Sequence, residues 1–133
     1  MASADVDDAL LLDTHTLIWW ASDPKKLSRK VKRLIQDQGT KVFVSAASAW
    51  EIATKVRLGK LRWASSESVE SYCIGQGFEL LPVTFAHGER AGSWPQTHGD
   101  PFDRMLAAQA DRQAMPIATN DALIRSLGVE TIW

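Results

Sequence analysis

Cysteine is nearly missing from this 133-residue chain. Cys73 stands alone, so no disulfide can close within the chain and no cysteine-based zinc site can be assembled. That usage suits a reducing cytoplasm, and Cys73, in SYCIG, reads as a small buried hydrophobe. Long apolar runs are missing too. No stretch approaches the roughly 18 residues that suggest a membrane span. The start, MASADVDDALLLD, is acidic where a signal peptide is basic, and its apolar run is too short for an h-region. These features predict a cytoplasmic protein with no membrane partner. Histidine is scarce: His15, His87 and His98 are too dispersed for a zinc signature such as HExxH. A net charge of −1 excludes a globally basic nucleic-acid binder. There is no internal repeat, low-complexity segment or interdomain linker.

What remains is ordinary globular material, 45% hydrophobic and 23% charged. The length predicts one domain over 1–133, with 1–8 as a flexible N-terminal tail. Charge is uneven along it. KKLSRKVKR (25–33) and KVRLGKLR (55–62) are strongly basic, whereas Asp5, Asp7 and Asp8 crowd the start. Solvated helix faces account for such runs most often, although a locally positive surface can still steer a phosphate chain.

Short apolar runs alternate with helical stretches. Strands are expected over 9–12, 42–44, 78–81, 117–118 and 129–132, as continuous runs without polar alternation, the mark of strands covered on both faces. Helices are expected over 15–21, 28–38, 46–58, 66–76, 85–92, 101–113 and 122–127. This order predicts a three-layer α/β/α sandwich around a central, mostly parallel sheet of four to five strands. In such sheets ligands bind beyond the carboxyl ends of the strands.

Four acids fall at or just past those strand-to-helix junctions. Asp13 follows ALLL, and Glu51 lies about two turns into the helix after VFVS. Asp103 sits in the first turn after the irregular loop SWPQTHGDP, and Asp121 follows PIATN. Each has a structural explanation taken singly. Asp13 can cap a helix and Glu51 can pair with Lys55 one turn on, while Asp103 and Asp121 suit the positive end of a helix dipole. In HGDPFDRMLAAQA, Asp100 reads as the N-cap and Pro101 as the first helical residue. Taken together the acids favour a site. Ser, Thr or Asn would serve as caps equally well, and four carboxylates on one sheet edge repel unless a cation neutralises them. A hard divalent cation with oxygen ligands does so, and Mg²⁺ or Mn²⁺ fits best.

LLLDTHTLIWW, VSAASAWEIATKVRLGKL, HGDPFDRMLAAQA and IATNDALI, in this order and at these separations, resemble the PIN-domain family. Within that family the likeness is to the VapC toxins of bacterial toxin–antitoxin pairs, and it runs from about Leu10 to the C-terminus. The resemblance implies a metal-dependent endoribonuclease, usually a homodimer, held inactive by a small antitoxin whose C-terminal segment lies across the active site. The family's acidic quartet falls on Asp13, Glu51, Asp103 and Asp121. Phosphodiester hydrolysis by metal-activated water is then expected, with one or two Mg²⁺ ions (Mn²⁺ as an alternative). Asp13 and Asp103 would be direct ligands, Glu51 a ligand or a water-orienting group, and Asp121 a ligand to a second metal or one acting through water. Thr119 and Asp100 would support them. Lys55 and Arg104 are candidates for substrate phosphate, although Arg104 can equally pair with Asp100 at i,i+4. His98, two residues before Asp100, is a further candidate at the site.

Other classes fit less well. A receiver-type phospho-acceptor module wants paired acids after the first strand and a late lysine, yet Asp13 is followed by Thr14-His15 and no lysine follows Lys60. A haloacid-type phosphatase needs Asp-x-Asp, which His15 breaks. A catalytically silent scaffold that only binds RNA or protein is disfavoured by the intact acids, since a pure RNA-binding surface would gain by losing those charges. Trp19 and Trp20 are consecutive on one helix, about 100° apart, so they cannot share one inward face. One of them is expected at a partner groove, with Trp20 the candidate.

Overall fold

A computed structural model describes residues 8–96 and 99–133. Most of the expected tail, residues 1–7, and His98 in the irregular loop lie outside the described residues. Asp8, expected in that tail, already belongs beside the sheet, because its carbonyl accepts the Lys41 N–H at 2.7 Å.

Five strands form one parallel sheet in the order β3-β2-β1-β4-β5. They are β1 (Ala9–Leu12), β2 (Lys41–Ser45), β3 (Glu79–Leu81), β4 (Ile117–Ala118) and β5 (Thr131–Ile132). The helices between them are α1 (Thr14–Ser22), α2 (Arg29–Gln36), α3 (Ala46–Arg57), α4 (Val69–Gly75), α5 (Phe85–Ser93), α6 (Pro101–Gln113) and α7 (Ala122–Arg125). Successive residues of β1 go to opposite faces. Leu10 and Leu12 pack with Leu17, Val31, Ile35, Ile52 and Cys73 from α1 to α4. Leu11 packs with Leu106, Ala110 and Ile124 from α6 and α7. The unbroken LLL run is therefore a strand roofed on both faces, and burying each leucine contributes about 1.5–3 kcal/mol. Ala91, Trp94, Ala107 and Ala108 join α5 to α6 outside that second layer.

Every helix start carries a Ser, Thr or Asp cap, and these caps trim the expected boundaries. Ser28 and Ser68 accept the N–H of Val31 and Ser71, so α2 and α4 begin at Arg29 and Val69 rather than at 28 and 66. At its other end α2 stops at Gln36, where Asp37 leaves the helix and its carboxylate accepts the Gly39 N–H. Helix α7 is a single turn rather than a run to 127. The chain turns out through Gly128, whose φ of +88° suits a residue without Cβ. A 3₁₀ turn, Pro24–Lys26, links α1 to α2 and was not expected.

Strand order determines where a site can form. The chain leaves β1 on one side to build β2 and β3, then returns through α5 and α6 to place β4 on the other side. Beyond the carboxyl ends of β1 and β4 the crossovers diverge and leave a crevice.

Candidate functional site

Asp13 is the first residue beyond β1. Its extended backbone (φ −74°, ψ 171°) caps α1, and Oδ1 accepts the Thr16 N–H at 2.7 Å. Its other oxygen, Oδ2, accepts the Thr119 hydroxyl at 2.5 Å. Thr119, the first residue beyond β4, turns the same Oγ1 to the Asp121 N–H as acceptor at 3.0 Å. One hydroxyl thus joins the two central strand ends. The Asp13 N–H and the Thr16 hydroxyl both donate to the Ala118 carbonyl and close the knot. Asp13 is only 3% exposed. Burial raises its pKa above the ordinary 3.8, and the hydrogen bonds from Thr119 and Thr16 pull it back only in part. The fold therefore holds a carboxylate that lacks a sufficient counter-charge.

Three further segments reach the same crevice. Glu51, buried on α3, accepts Lys55 Nζ at 2.8 Å one helical turn on. Ser48, on the same helix, accepts the Thr14 hydroxyl at 3.0 Å and holds α3 against the first turn of α1. Asp100 caps α6: its Oδ1 accepts the N–H groups of Phe102 and Asp103 at 2.9 and 3.1 Å, and Pro101 is the first helical residue. Asp103 is thereby held in the first turn. Trp50 and Phe102, each one residue before an acid, meet edge-on with ring centroids 4.9 Å apart and dock α3 on α6. Such a contact adds about 0.5–1.5 kcal/mol beyond its buried area. Asp121 caps α7, its Oδ1 accepting the Leu123 N–H at 2.8 Å.

These segments enclose a recess of about 80 Å³ lined by Asp13, Glu51, Asp100, Asp103 and Asp121, with Thr14, His15, Lys55 and Ile124. The four acids expected to share a site do line one cavity, and so do Asp100 and Lys55. Among the described residues, no three His, Cys, Asp or Glu side chains are gathered tightly enough to cage a metal unaided. Five of the lining residues are acids against a single histidine, a mainly hard oxygen set suited to Mg²⁺ or Mn²⁺ rather than zinc.

Arg104 behaves differently from the expectation of a phosphate contact. Its Nε, Nη1 and Nη2 donate to the carbonyls of Ala91, Trp94 and Gln96 at 2.7–3.0 Å, and it does not line the recess. A planar, multi-donor guanidinium is well suited to this work, which ties the end of α5 to α6. The tryptophans also sort themselves. Trp20 packs on Phe78 and donates its indole N–H to Gln76 Oε1 at 2.9 Å, so it fastens α1 to the α4–β3 turn. Trp19 is the one that faces the crevice. Sequence reasoning singled out neither Thr14 nor Ser48, since a lone hydroxyl on a helix carries no spacing signal.

The fold and the recess together define an α/β/α protein with a carboxylate-lined pocket at its topological switch point. The chain belongs to the PIN domain family, whose model matches residues 10–129. It is similar to Ribonuclease VapC22 of Mycobacterium tuberculosis (strain ATCC 25618 / H37Rv), with 25% identity over 118 residues, 88% of this chain and 90% of that protein. Among solved structures it resembles VapBC2 from Rickettsia felis bound to a DNA fragment from their promoter. There the TM-score is 0.68 at 11% identity, covering 93% of this chain and 97% of that one. DNA-bound VapBC from Salmonella typhimurium gives 0.67 at 16% identity, over 93% and 96% of the two chains. A toxin-antitoxin complex from Klebsiella pneumoniae gives 0.65 at 14% identity, over 93% and 96%. At such identities these structures speak for the fold, and the five-stranded parallel sheet agrees with it. No helix among the described residues is long and apolar enough to cross a membrane.

Proposed function

We propose that this PIN-domain protein is the endoribonuclease toxin of a toxin–antitoxin pair and hydrolyses RNA phosphodiester bonds with the help of Mg²⁺ or Mn²⁺. The observation that carries the reading is the recess itself. Acids from four separate segments line one small cavity at the switch point, and the most buried of them is left under-neutralised by the fold. The resemblance to a VapC ribonuclease over nearly the whole chain supports the same conclusion.

Asp13 and Asp103 would hold the cation directly, Glu51 would hold it or orient the attacking water, and Asp121 would serve a second cation or act through water. A hydrated Mg²⁺ needs only one or two carboxylates and keeps its remaining waters, which suits acids that line a recess without forming a closed cage. When bound, the cation lowers the pKa of water and offsets charge at the scissile phosphate. The chain's own groups do the rest. Thr119 fixes the Asp13 carboxylate by donating to Oδ2. Asp100 sets the first turn of α6 and with it the position of Asp103. Lys55 supplies a cation for a substrate phosphate at the rim. The reading also assigns the protein a homodimeric state, a cognate antitoxin and a cytoplasmic setting.

Cleavage of end-labelled total RNA by antitoxin-free protein, with Mg²⁺, Mn²⁺ or EDTA, tests it beside Asp13→Asn. Discrete fragments that need metal and vanish in the variant are expected. No cleavage by folded, metal-supplied protein would refute the nuclease and favour a silent binding scaffold.

A further inference from the structure

A second recess, of about 220 Å³, opens beside the acidic one and is lined by Asp13, His15, Trp19, Asn120 and Asp121. Asp13, His15 and Asp121 line both cavities, so the two adjoin. Its far wall is aromatic. The His15 and Trp19 ring centroids lie 5.8 Å apart, and Trp133 meets Trp19 edge-on at 6.0 Å. Lys26 places its ammonium 5.9 Å from the Trp19 ring centroid, and Lys25 and Arg29 are exposed near it in the chain. None of this is needed to hold the acids. Trp133 and the core under α1 pack against Trp19, which is only partly buried and also lines the recess.

We propose that this recess is a base-stacking subsite, in which one unpaired nucleobase of the RNA strand lies against Trp19 while the neighbouring phosphate sits at the acids. Charge decides the occupant. A phosphate cannot rest between Asp13 and Asp121 without a cation, but a neutral planar base can. Recognition of RNA commonly splays a base onto an aromatic face in this way. Asn120 offers an amide donor and acceptor for the base edge, and Lys26 receives the next phosphate along the strand. Such a subsite would direct cleavage to unstacked loops rather than to helical RNA.

The subsite rests on the nuclease reading, so metal-dependent RNA cleavage by the wild type is scored alongside. The probe is fluorescein-labelled A12 RNA, compared by anisotropy with an abasic 12-mer of the same backbone, in Mg²⁺ and an Asp13→Asn background. Trp19→Leu is expected to weaken A12 binding at least about five-fold, the lower end of one base–aromatic stack. It should leave the abasic strand's affinity unchanged. Trp19→Phe keeps a flat ring and should retain most of the A12 affinity. His15→Ala, at an exposed position, should show the A12-selective loss on a smaller scale and stands in if Trp19→Leu fails to fold. Lys26→Gln should weaken both strands alike. Equal losses for both strands in Trp19→Leu, an unchanged A12 affinity, or no A12 binding by the parent would each overturn the subsite. With wild-type cleavage intact, those results sink the subsite alone; absent cleavage sinks the nuclease.

Discussion

Thr119→Val isolates the hydroxyl that joins the two central strand ends. The substitution keeps shape and volume and removes one donor and one acceptor. Asp13 Oδ2 loses its hydrogen bond in a site that is 3% exposed, and the Asp121 N–H loses its acceptor. A hydrogen bond to a buried charged group contributes about 1.5–3 kcal/mol and a neutral one about 1, so the expected loss of stability is about 2–4 kcal/mol. With a urea slope near 2 kcal/mol/M, the unfolding midpoint falls by about 1–2 M. The loss should also depend on pH. Burial holds the Asp13 pKa above its unfolded value, and Thr119 is the strongest influence lowering it. Stability associated with Asp13 is therefore highest when it is protonated, and falls as pH rises from the unfolded value, 3.8, through the folded one. Removing Thr119 raises the folded pKa further, so the variant's deficit should be larger at pH 7.5 than at pH 4.5. Metal-free urea titrations at both values check this. A deficit below about 0.5 kcal/mol, within the range of neutral surface changes, would refute the argument. So would one that does not change with pH.

The same burial predicts that Asp13→Asn, in metal-free protein, melts higher than the wild type while cleavage is lost. The amide keeps an acceptor for the Thr16 N–H and can donate to Thr119 Oγ1, so only the costly charge goes; a lower Tm by calorimetry would contradict this. Lys55→Met should tighten Mn²⁺ binding about two- to five-fold by titration calorimetry, the equivalent of one weak ion pair, since Lys55 is the cation already resting on Glu51. Arg57→Met, an equal charge change at an exposed position of α3, should leave that affinity near the wild-type value, and an equal effect would reduce Lys55 to a field contribution. Arg104→Ala should destabilise by about 2–3 kcal/mol, because several charge-assisted bonds to backbone carbonyls are lost together. Arg104→Lys should not restore it, since one ammonium cannot span three carbonyls; full recovery in urea melts would refute the clamp.

The architecture was legible because the parallel sheet leaves an obvious mark: runs such as ALLL and VFV without polar alternation, separated by capped helices. Boundaries were less so. Ser28 and Ser68 look like helix residues until their side chains are seen to accept from Val31 and Ser71, which places them outside. Asp13 and Asp121 were legible for the same reason as the strands, each falling where a strand hands over to a helix. Asp103, by contrast, lies in the first turn of a helix that follows another helix, and Glu51 lies inside α3. Arg104 was not legible. Within one helix its natural partner is an acid a turn away, and only tertiary folding brings the carbonyls of residues 91, 94 and 96 beneath it. Trp19 and Trp20 were legible as a pair that must split, but which one meets the crevice depends on where Gln76 and Phe78 lie.

Capping and metal-holding are usually set against each other as explanations for an acid at a helix start, and here they act together. A cap occupies one carboxylate oxygen with backbone N–H groups, as Asp13, Asp100 and Asp121 each show through Oδ1. That bond fixes the side chain's rotamer while the carboxylate keeps a second oxygen and its charge, although in Asp13 that oxygen also accepts the Thr119 hydroxyl. Ser or Thr would cap as well but would present no second oxygen and no charge. An uncapped acid would keep its charge but would have to lose rotamer freedom when it binds a cation. Asp at such a helix start therefore provides rigidity and charge in one residue. The residual charge weakens the metal-free fold, as the raised pKa of Asp13 records, and the same imbalance is what draws a cation in.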